Sequence, residues 1–338
     1  MRFADLTTFR IGGDIRRFID GTSEEVILKT LVDTDSDLIE VIGGGSNLLA
    51  GDDAFEGTVL RISNVGSELD YDSCSGGMIT VAAGVDWDQF VAQTVRSGFS
   101  GLETLSGIPG RVGAAPIQNI GAYGQEVRNV IARVRTWDRQ LRQQQTFTAN
   151  QCGFAYRSSL FKENPSRYVI LDVTFQLKKG ELSIPITYPE LARELGISEG
   201  ERASVPVVRQ KVLEIRKRKG MLLSAEDSDT WSAGSFFINP SVSAEMINQL
   251  PATAPRWPNG DGTFKTSAAW LLENAGIAKG QRVGGARIST KHVLALSNVD
   301  HAKTHEVLEL AKLCQAAVRE KFGISLEPEV RLINCALA

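Results

Sequence analysis

The chain has 338 residues, of which 42% are apolar and 23% are charged, an ordinary balance for a globular protein with a packed core. Its formal net charge of −3 argues against a nucleic-acid-binding protein, because such proteins usually present a basic face. No apolar run reaches the ~18–20 residues of a membrane helix, and no signal-peptide core is present. Cys74, Cys152, Cys314 and Cys335 form no CxxC pair, so we expect reduced thiols, mostly buried, in a cytoplasmic protein.

Short apolar runs between turn residues predict strands over residues 38–44, 57–63, 77–84, 130–137, 168–177 and 292–298. Apolar residues at helical spacing predict three helices: one capped by Asp86, one ending before Gly220, and one beginning near Thr304. These elements predict an α+β protein. We divide it into regions 1–65, 66–220 and 221 onward, and expect the last strand to return to the first region.

Two clusters of glycine interrupt this pattern. The first, "VIGGGSN" at 41–47, follows a predicted strand, and its consecutive N–H groups could form an anion-binding nest. It is neither a GxGxxG motif nor a Walker P-loop, and a plain tight turn is the alternative. The second, "SGIPGRVGAAPIQNIGAYG" at 106–124, is too rich in small residues for a core and too apolar for a solvated loop. About seventy residues separate the clusters, which suits an extended dinucleotide.

Three polar residues stand among apolar or small neighbours. Arg157 lies in "FAYRSS", Ser235 between a glycine and two phenylalanines in "AGSFF", and Glu329 beside apolar residues in "LEPEV". The sequence positions no His–Asp pair beside Ser235, and it has no GxSxG motif, so a serine-hydrolase triad is not indicated. For Glu329 the alternation suggests a buried strand and a raised pKa.

Other patterns have simpler interpretations. "RKRK" at 216–219 ends a predicted helix, where cations suit the helix dipole, and a solvated face competes with a phosphate contact. His301 and His305 are four residues apart without an HExxH motif or a third ligand nearby, so we expect no metal.

Taken in order, "GGGSN", "LSGIPGRVGAAPIQNIGAYG", "AYRSS", "SAGSFFINP", "KTSAAWLLENAG" and "LEPEVR" resemble the UDP-N-acetylenolpyruvoylglucosamine reductases, the MurB family. The resemblance runs from Thr8 to about Arg331. It implies an FAD-binding fold of the vanillyl-alcohol-oxidase type with a C-terminal α/β substrate-binding domain. Residues 1–65, with the strand in 327–338, would form FAD-binding subdomain 1, residues 66–220 subdomain 2, and residues 221–326 the substrate-binding domain.

The resemblance also implies roles for individual residues. The family's catalytic arginine, serine proton donor and glutamate fall on Arg157, Ser235 and Glu329. Non-covalently bound FAD would contact Gly43, Gly44, Gly45, Ser46, Asn47, Pro109, Gly110, Gly113, Ala114, Asn119, Ile120 and Gly121. The substrate would contact Tyr123, Tyr156, Tyr188, Arg216, Lys219 and Asn239. The segment between Lys219 and Ser235 is longer than in the enteric-type members, and its role is left open.

The implied activity is the NADPH-dependent reduction of UDP-N-acetylglucosamine enolpyruvate to UDP-N-acetylmuramate, in peptidoglycan precursor synthesis. Such an enzyme would work on small molecules, as a cytoplasmic monomer, without nucleic acid or membrane. An FAD-dependent oxidase of the same superfamily is the alternative, although many such oxidases attach flavin through His or Cys and no His precedes residue 292. A flavin-free nucleotide-binding regulator is a third possibility.

Overall fold

The structure is a computed structural model that describes residues 1–35, 39–72 and 76–337. Cys74 and the first residue of the strand predicted at 38–44 lie outside the described residues. The helices are α1 (Glu24–Asp33), α2 (Trp87–Arg96), α3 (Leu160–Glu163), α4 (Pro189–Leu195), α5 (Val205–Arg218), α6 (Ala244–Gln249), α7 (Ala268–Asn274) and α8 (Thr304–Phe322). None of these described helices is both long and apolar enough to cross a membrane.

The strands of the first half are β1 (Ile15–Gly21), β2 (Ile39–Ile42), β3 (Leu48–Ala50), β4 (Phe55–Ile62), β5 (Ser67–Asp72), β6 (Gly76–Ala82), β7 (Phe99–Ser100), β8 (Gly121–Ala122) and β9 (Gln125–Glu126). Those that follow are β10 (Ile131–Asp138), β11 (Gln143–Thr148), β12 (Tyr168–Lys179), β13 (Ser241–Val242), β14 (Trp257–Pro258), β15 (Phe264–Lys265), β16 (Arg282–Val283), β17 (Ala286–Ile288), β18 (Leu296–Asn298) and β19 (Arg331–Ile333).

The chain forms two compact units. The first unit comprises Met1–Ile15, Gly45–Phe55 and Lys219–Ala338. The second unit comprises Arg16–Gly44 and Glu56–Arg218. The three-region division drawn from the sequence stays a prediction.

The second unit is built on an antiparallel sheet in the order β11-β10-β12-β6-β5. Its core face meets helix α2, whose buried Trp87 and Phe90 lie 6.1 and 5.1 Å from the ring of Phe175 on β12. A smaller sheet, β1-β4-β2, has β2 parallel to β4. Strand β2 ends at Ile42, directly before the glycines at 43–45.

The first unit joins the two ends of the chain. Strand β19 pairs in parallel with β3, so that Arg331 lies opposite Leu48. Its core combines helices α7 and α8 with the sheet β16-β17-β18. The buried stripe of α8 is Val307, Leu310, Cys314 and Val318.

The predicted helices are confirmed. Asp86 Oδ1 accepts the Gln89 N–H at 3.0 Å and so caps α2, while α8 ends at Gly323 in the left-handed region (φ 68°). The strand predicted at 292–298 is shorter than expected. Only residues 296–298 form β18, because the Ala295 N–H closes a turn onto the His292 carbonyl at 3.0 Å.

The described cysteines are free thiols, as predicted. Burial raises the pKa of both Cys152 and Cys314 to about 12. These thiols are therefore protonated and unreactive at neutral pH.

Candidate active site

Inside the second unit, the start of the first glycine cluster meets the second cluster. A Cβ placed on Gly44 would lie 3.0 Å from the Cα of Gly110, and one on Gly43 would lie 3.5 Å from the Cβ of Arg111. Both glycines are only partly buried, at the end of parallel strand β2. The two loops thus present main chain rather than side chains. That arrangement suits the pyrophosphate and flat ring of FAD, because bare backbone N–H groups bind phosphate and small residues allow close approach.

Gly113 fixes the second cluster to the residues that directly follow strand β6. Its N–H donates to the Ala83 carbonyl at 2.8 Å, and the neighbouring Val112 N–H donates to Val85 at 2.9 Å. A Cβ on Gly113 would lie 2.5 Å from the Cβ of Ala83, closer than real contacts allow. This glycine is thus required by packing.

The rest of the first cluster belongs to the first unit and is tied to "LEPEV". Gly45 has φ 64°, and a Cβ there would lie 1.9 Å from the Leu6 carbonyl oxygen. Asn47 Nδ2 donates to the Glu329 carbonyl at 3.1 Å, and the Arg331 N–H donates to the Asn47 carbonyl at 3.0 Å. Glu329 lies just before β19 and is partly buried.

Arg157 lies at the edge of the second glycine cluster. Its Nη2 donates to the Gly121 carbonyl at 2.8 Å and its Nη1 to the Asn119 carbonyl at 3.5 Å. Arg157, Asn119 and Tyr123 have φ of 51°, 45° and 50°, which non-glycine residues rarely adopt. Such strained residues tend to cluster at functional sites.

Two of the predicted substrate tyrosines contact each other. The rings of Tyr123 and Tyr188 meet edge to face with centroids 5.5 Å apart. Burial raises the pKa of Tyr123 to about 12, against the opposing influence of the Arg216 charge. The third, Tyr156, lies beside Arg157, whose guanidinium carbon is 5.4 Å from its ring centroid.

Arg216 is buried, with 6% of its surface exposed. Its Nε donates to the Gly107 carbonyl at 3.1 Å, and its guanidinium hydrogen-bonds with Tyr123. Burial lowers the pKa of Arg216. The nearby oxygens of Tyr123 and Asp88 raise it, but by less.

In the first unit, the segment holding Ser235 lies between the turn at 292–295 and the "LEPEV" segment. The Phe236 N–H donates to the Leu294 carbonyl at 2.8 Å, and the Phe236 carbonyl accepts the Glu329 N–H at 2.8 Å. Buried Phe236 and Phe237 anchor the segment in the core. The backbones carrying Ser235 and Glu329 are thus neighbours in this unit.

Sequence reasoning missed a histidine beside the serine. Ser235 Oγ and His292 Nε2 lie 3.5 Å apart. Burial, followed by the Lys219 and Lys279 charges, lowers the pKa of His292 to about 4, so the imidazole is neutral at pH 7. The sequence showed no His–Asp pair beside Ser235, and it could not place His292 there because 57 residues of sequence separate the two.

Asp229 anchors the long segment between Lys219 and Ser235. Its carboxylate accepts hydrogen bonds from Arg287 Nη2 at 2.9 Å, Ser289 Oγ at 2.9 Å and Thr290 Oγ1 at 2.8 Å. Burial alone would raise the pKa of Asp229, but these donors outweigh it and lower the pKa. The segment is thereby fixed to the turn that carries His292.

The remaining predicted residue of the first unit, Asn239, has a structural contact. Its Oδ1 accepts the Ala268 N–H at 2.9 Å at the start of α7. The predicted residues therefore form two groups. The first unit holds Gly45, Ser46, Asn47, Lys219, Ser235, Asn239 and Glu329, and the second unit holds all the others.

Two family models match this chain. The FAD binding domain matches residues 22–140, and the C-terminal domain of UDP-N-acetylenolpyruvoylglucosamine reductase matches residues 226–333. The UDP-N-acetylenolpyruvylglucosamine reductase (MurB) from Thermus caldophilus has a similar fold, with a TM-score of 0.67 at 24% identity over 98% of this chain and 97% of that one.

The FAD binding domain match, the glycine-lined loops and the C-terminal reductase-domain match together define an FAD-dependent oxidoreductase of α+β fold. A UDP-N-acetylenolpyruvoylglucosamine reductase of Cutibacterium acnes is 50% identical over 99% of this chain and 89% of its own length. One of Thermobifida fusca is 45% identical over 99% of this chain and 97% of its own length. The chain belongs to the UDP-N-acetylenolpyruvoylglucosamine reductase family.

Proposed function

We infer that Arg157, Ser235 and Glu329 carry the reaction of this chain, which reduces UDP-N-acetylglucosamine enolpyruvate to UDP-N-acetylmuramate for peptidoglycan precursor synthesis. NADPH is the reductant. Bound FAD would supply the hydride-transfer chemistry between NADPH and the substrate. The observation that carries the residue assignment is the rigid setting of Arg157 at the rim of the second glycine cluster.

Arg157 is proposed to bind the carboxylate of the enolpyruvyl group. Hydride addition at C3 moves negative charge onto that carboxylate, and stabilising charge where it develops is usually the largest catalytic contribution. A guanidinium suits this task because it presents a fork of donors and does not deprotonate. The carbonyls of Gly121 and Asn119 fix the plane of the group before the substrate arrives.

Ser235 is proposed to deliver the proton to C2 of the resulting enolate. A serine hydroxyl is a weak acid, so the donor must be well positioned and the carbon strongly basic. Backbone bonds on both sides of Phe236 hold the serine segment in place. Glu329, on the neighbouring segment, would assist as a protonated acid or by orienting the donor.

The cofactor assignment concerns the two loops. We propose that Gly43, Gly44, Pro109, Gly110, Gly113, Ala114, Asn119, Ile120 and Gly121 hold FAD without a covalent bond, together with Gly45, Ser46 and Asn47. The close approach of Gly44 to Gly110, both in the second unit, supports placing these two glycines in one cofactor site. The division into FAD-binding regions 1–65 and 66–220 and a substrate-binding region 221–326 is part of the same proposal.

The substrate assignment concerns Tyr123, Tyr156, Tyr188, Arg216, Lys219 and Asn239. Tyr188 is exposed and stacked edge-on against Tyr123, which suits a ring that closes over a diphosphate. Arg216 is buried, so its influence on the substrate would pass through Tyr123. We further propose a cytoplasmic monomer, which light scattering of the purified protein tests.

One experiment tests the function as a whole. Purified protein should show flavin absorbance, bleach on anaerobic addition of NADPH, and recover when UDP-N-acetylglucosamine enolpyruvate is added. Mass spectrometry should find UDP-N-acetylmuramate. Recovery with oxygen alone and no product would instead indicate an oxidase, and colourless protein that does not take up FAD would indicate a nucleotide-binding regulator.

A further inference from the structure

Gly107 of the second glycine cluster is held through both of its backbone polar groups, which belong to two successive peptide units. The Gly107 N–H donates to Asp88 Oδ1 at 2.6 Å, and the Gly107 carbonyl accepts from Arg216 Nε at 3.1 Å. Gly107 itself has φ 72°, in the left-handed region. A carboxylate and a guanidinium thus set the orientation of a loop whose own backbone is unusually permissive.

The carboxylate of Asp88 is in turn held by a second arginine. Arg209 Nη1 lies 2.7 Å from Asp88 Oδ1 and Arg209 Nη2 lies 2.8 Å from Oδ2, a two-pronged ion pair. Only 16% of the Arg209 side chain is exposed. Burial alone would raise the pKa of Asp88, but Arg209 and the Gly107 N–H outweigh it and lower the pKa. Charged, partly buried hydrogen bonds of this kind are stronger than neutral ones.

Both arginines come from helix α5. Their separation of seven residues, about two helical turns, places them on one face. The apolar residues of α5, Val208, Val212 and Ile215, pack against Leu191 and Ala192 of α4. Tyr188 immediately precedes α4, and Tyr123 packs against the same apolar cluster. Helix α5 therefore connects the tyrosine pair to the loop around Gly107.

We propose that Asp88 is a positioning residue that joins helix α5 to the cofactor loop at 106–110, and so links FAD affinity to the state of the Tyr123–Tyr188 pair. This rests on the proposed function. Asp88 touches neither cofactor nor substrate in this scheme, but acts through Gly107 and Arg209. Fixing the backbone at Gly107 beforehand reduces the ordering cost of binding FAD. Because the loop and the tyrosine pair both contact α5, we expect FAD and the substrate to affect each other's binding, and such coupling is reciprocal by thermodynamic linkage.

The test removes the carboxylate and measures FAD binding to apoprotein by quenching of flavin fluorescence. Asp88→Ala should raise the FAD Kd by about 10- to 100-fold, as expected for a lost hydrogen bond to a charged group. Asp88→Asn keeps an acceptor for Gly107 but turns an amide N–H₂ towards Arg209, so its effect should be smaller. Arg209→Gln should weaken FAD binding, and the double variant Asp88→Ala with Arg209→Gln should be no worse than Asp88→Ala alone.

Glu194 provides a matched control. It forms a similar two-pronged pair with Arg218 of the same helix, at 3.2 and 2.8 Å, but does not contact the loop. Glu194→Ala should bind FAD within about twofold of wild type and leave the visible flavin spectrum unchanged. Asp88→Asn should shift the visible flavin spectrum. The melting temperature of its apoprotein should equal that of the Glu194→Ala apoprotein, because the loop and not the fold is altered.

Saturating UDP-N-acetylglucosamine should tighten FAD binding in wild type and lose that effect in Asp88→Ala. An Asp88→Ala protein that binds FAD within twofold of wild type, or effects of Asp88 and Arg209 that simply add, would overturn the inference. Wild-type protein that binds no FAD would overturn the proposed function as well, so the two failures can be told apart.

Discussion

Ser235 Oγ lies 3.5 Å from His292 Nε2, and the imidazole is one that burial keeps neutral. A neutral imidazole can either accept the serine proton or donate to the serine oxygen, depending on its tautomer. The turn that carries His292 is fixed by Ser289. The Ser289 Oγ accepts the backbone N–H of His292 at 3.3 Å and donates to the Asp229 carboxylate at 2.9 Å. The serine thus has a defined partner that the tertiary fold provides.

His292 makes stability depend on pH. Its folded pKa of about 4 lies below the ordinary 6.5, so the unfolded chain takes up a proton first as the pH falls. The His292 contribution is therefore complete above pH 6.5 and is lost between pH 6.5 and 4. At 1.36 kcal/mol per unit the loss is about 3 kcal/mol at most. Urea unfolding of apoprotein across this range should show it, and His292→Gln should flatten the curve. Exposed His305 is the control, and His305→Gln should behave as wild type.

The Ser235→Ala variant should retain FAD and be reduced by NADPH at the wild-type rate. Reoxidation by the enolpyruvyl substrate should slow by about 10²–10⁴-fold, the usual contribution of a general acid. Ser235→Cys keeps a transferable proton and should be much faster than Ser235→Ala. Stopped-flow measurement of both half-reactions checks this, and an alanine variant faster than the cysteine variant would rule out the proton-donor role.

For Glu329, the change to Gln preserves size while removing the acid. We expect FAD binding and reduction by NADPH to stay nearly intact, and reoxidation by substrate to slow, because the group is assigned to the second half-reaction only. Equal slowing of both half-reactions, or of neither, would contradict the assignment. The Asn47–Glu329 backbone contact does not involve the carboxyl group and should persist.

Gly113→Ala tests the packing of the cofactor loop. A methyl group there would meet the Cβ of Ala83 at 2.5 Å, so we expect a loss of about 1–3 kcal/mol of unfolding free energy and weaker FAD binding. Gly180→Ala is a matched control, because a Cβ at that position meets nothing within 4 Å. Urea unfolding and FAD titration of both variants provide the comparison; equal behaviour of the two would show that Gly113 is not required by packing.

The local elements and the types of the site residues were readable from the sequence alone. Helices α2 and α8 follow from apolar spacing and from terminal residues such as Asp86 and Gly323, all of which act within a few positions. The glycine clusters are also local features of the sequence, and they indicated that the backbone approaches another group closely. The order of short motifs indicated the family, which the 50% identical relative confirms.

Only the tertiary structure decided which of these residues are in contact. His292 and Ser235 are 57 residues apart in sequence. The ion pair of Arg209 with Asp88 joins residues 121 positions apart, and the hydrogen bond of Arg216 with Gly107 joins residues 109 positions apart. The fold also buries Arg216, for which the sequence left open a solvated face or a phosphate contact. A turn closed by the Ala295 N–H shortens the strand predicted at 292–298 to β18. Periodicity and caps report interactions within one or two turns of chain, whereas these contacts depend on how sheets and helices pack, which no local pattern encodes.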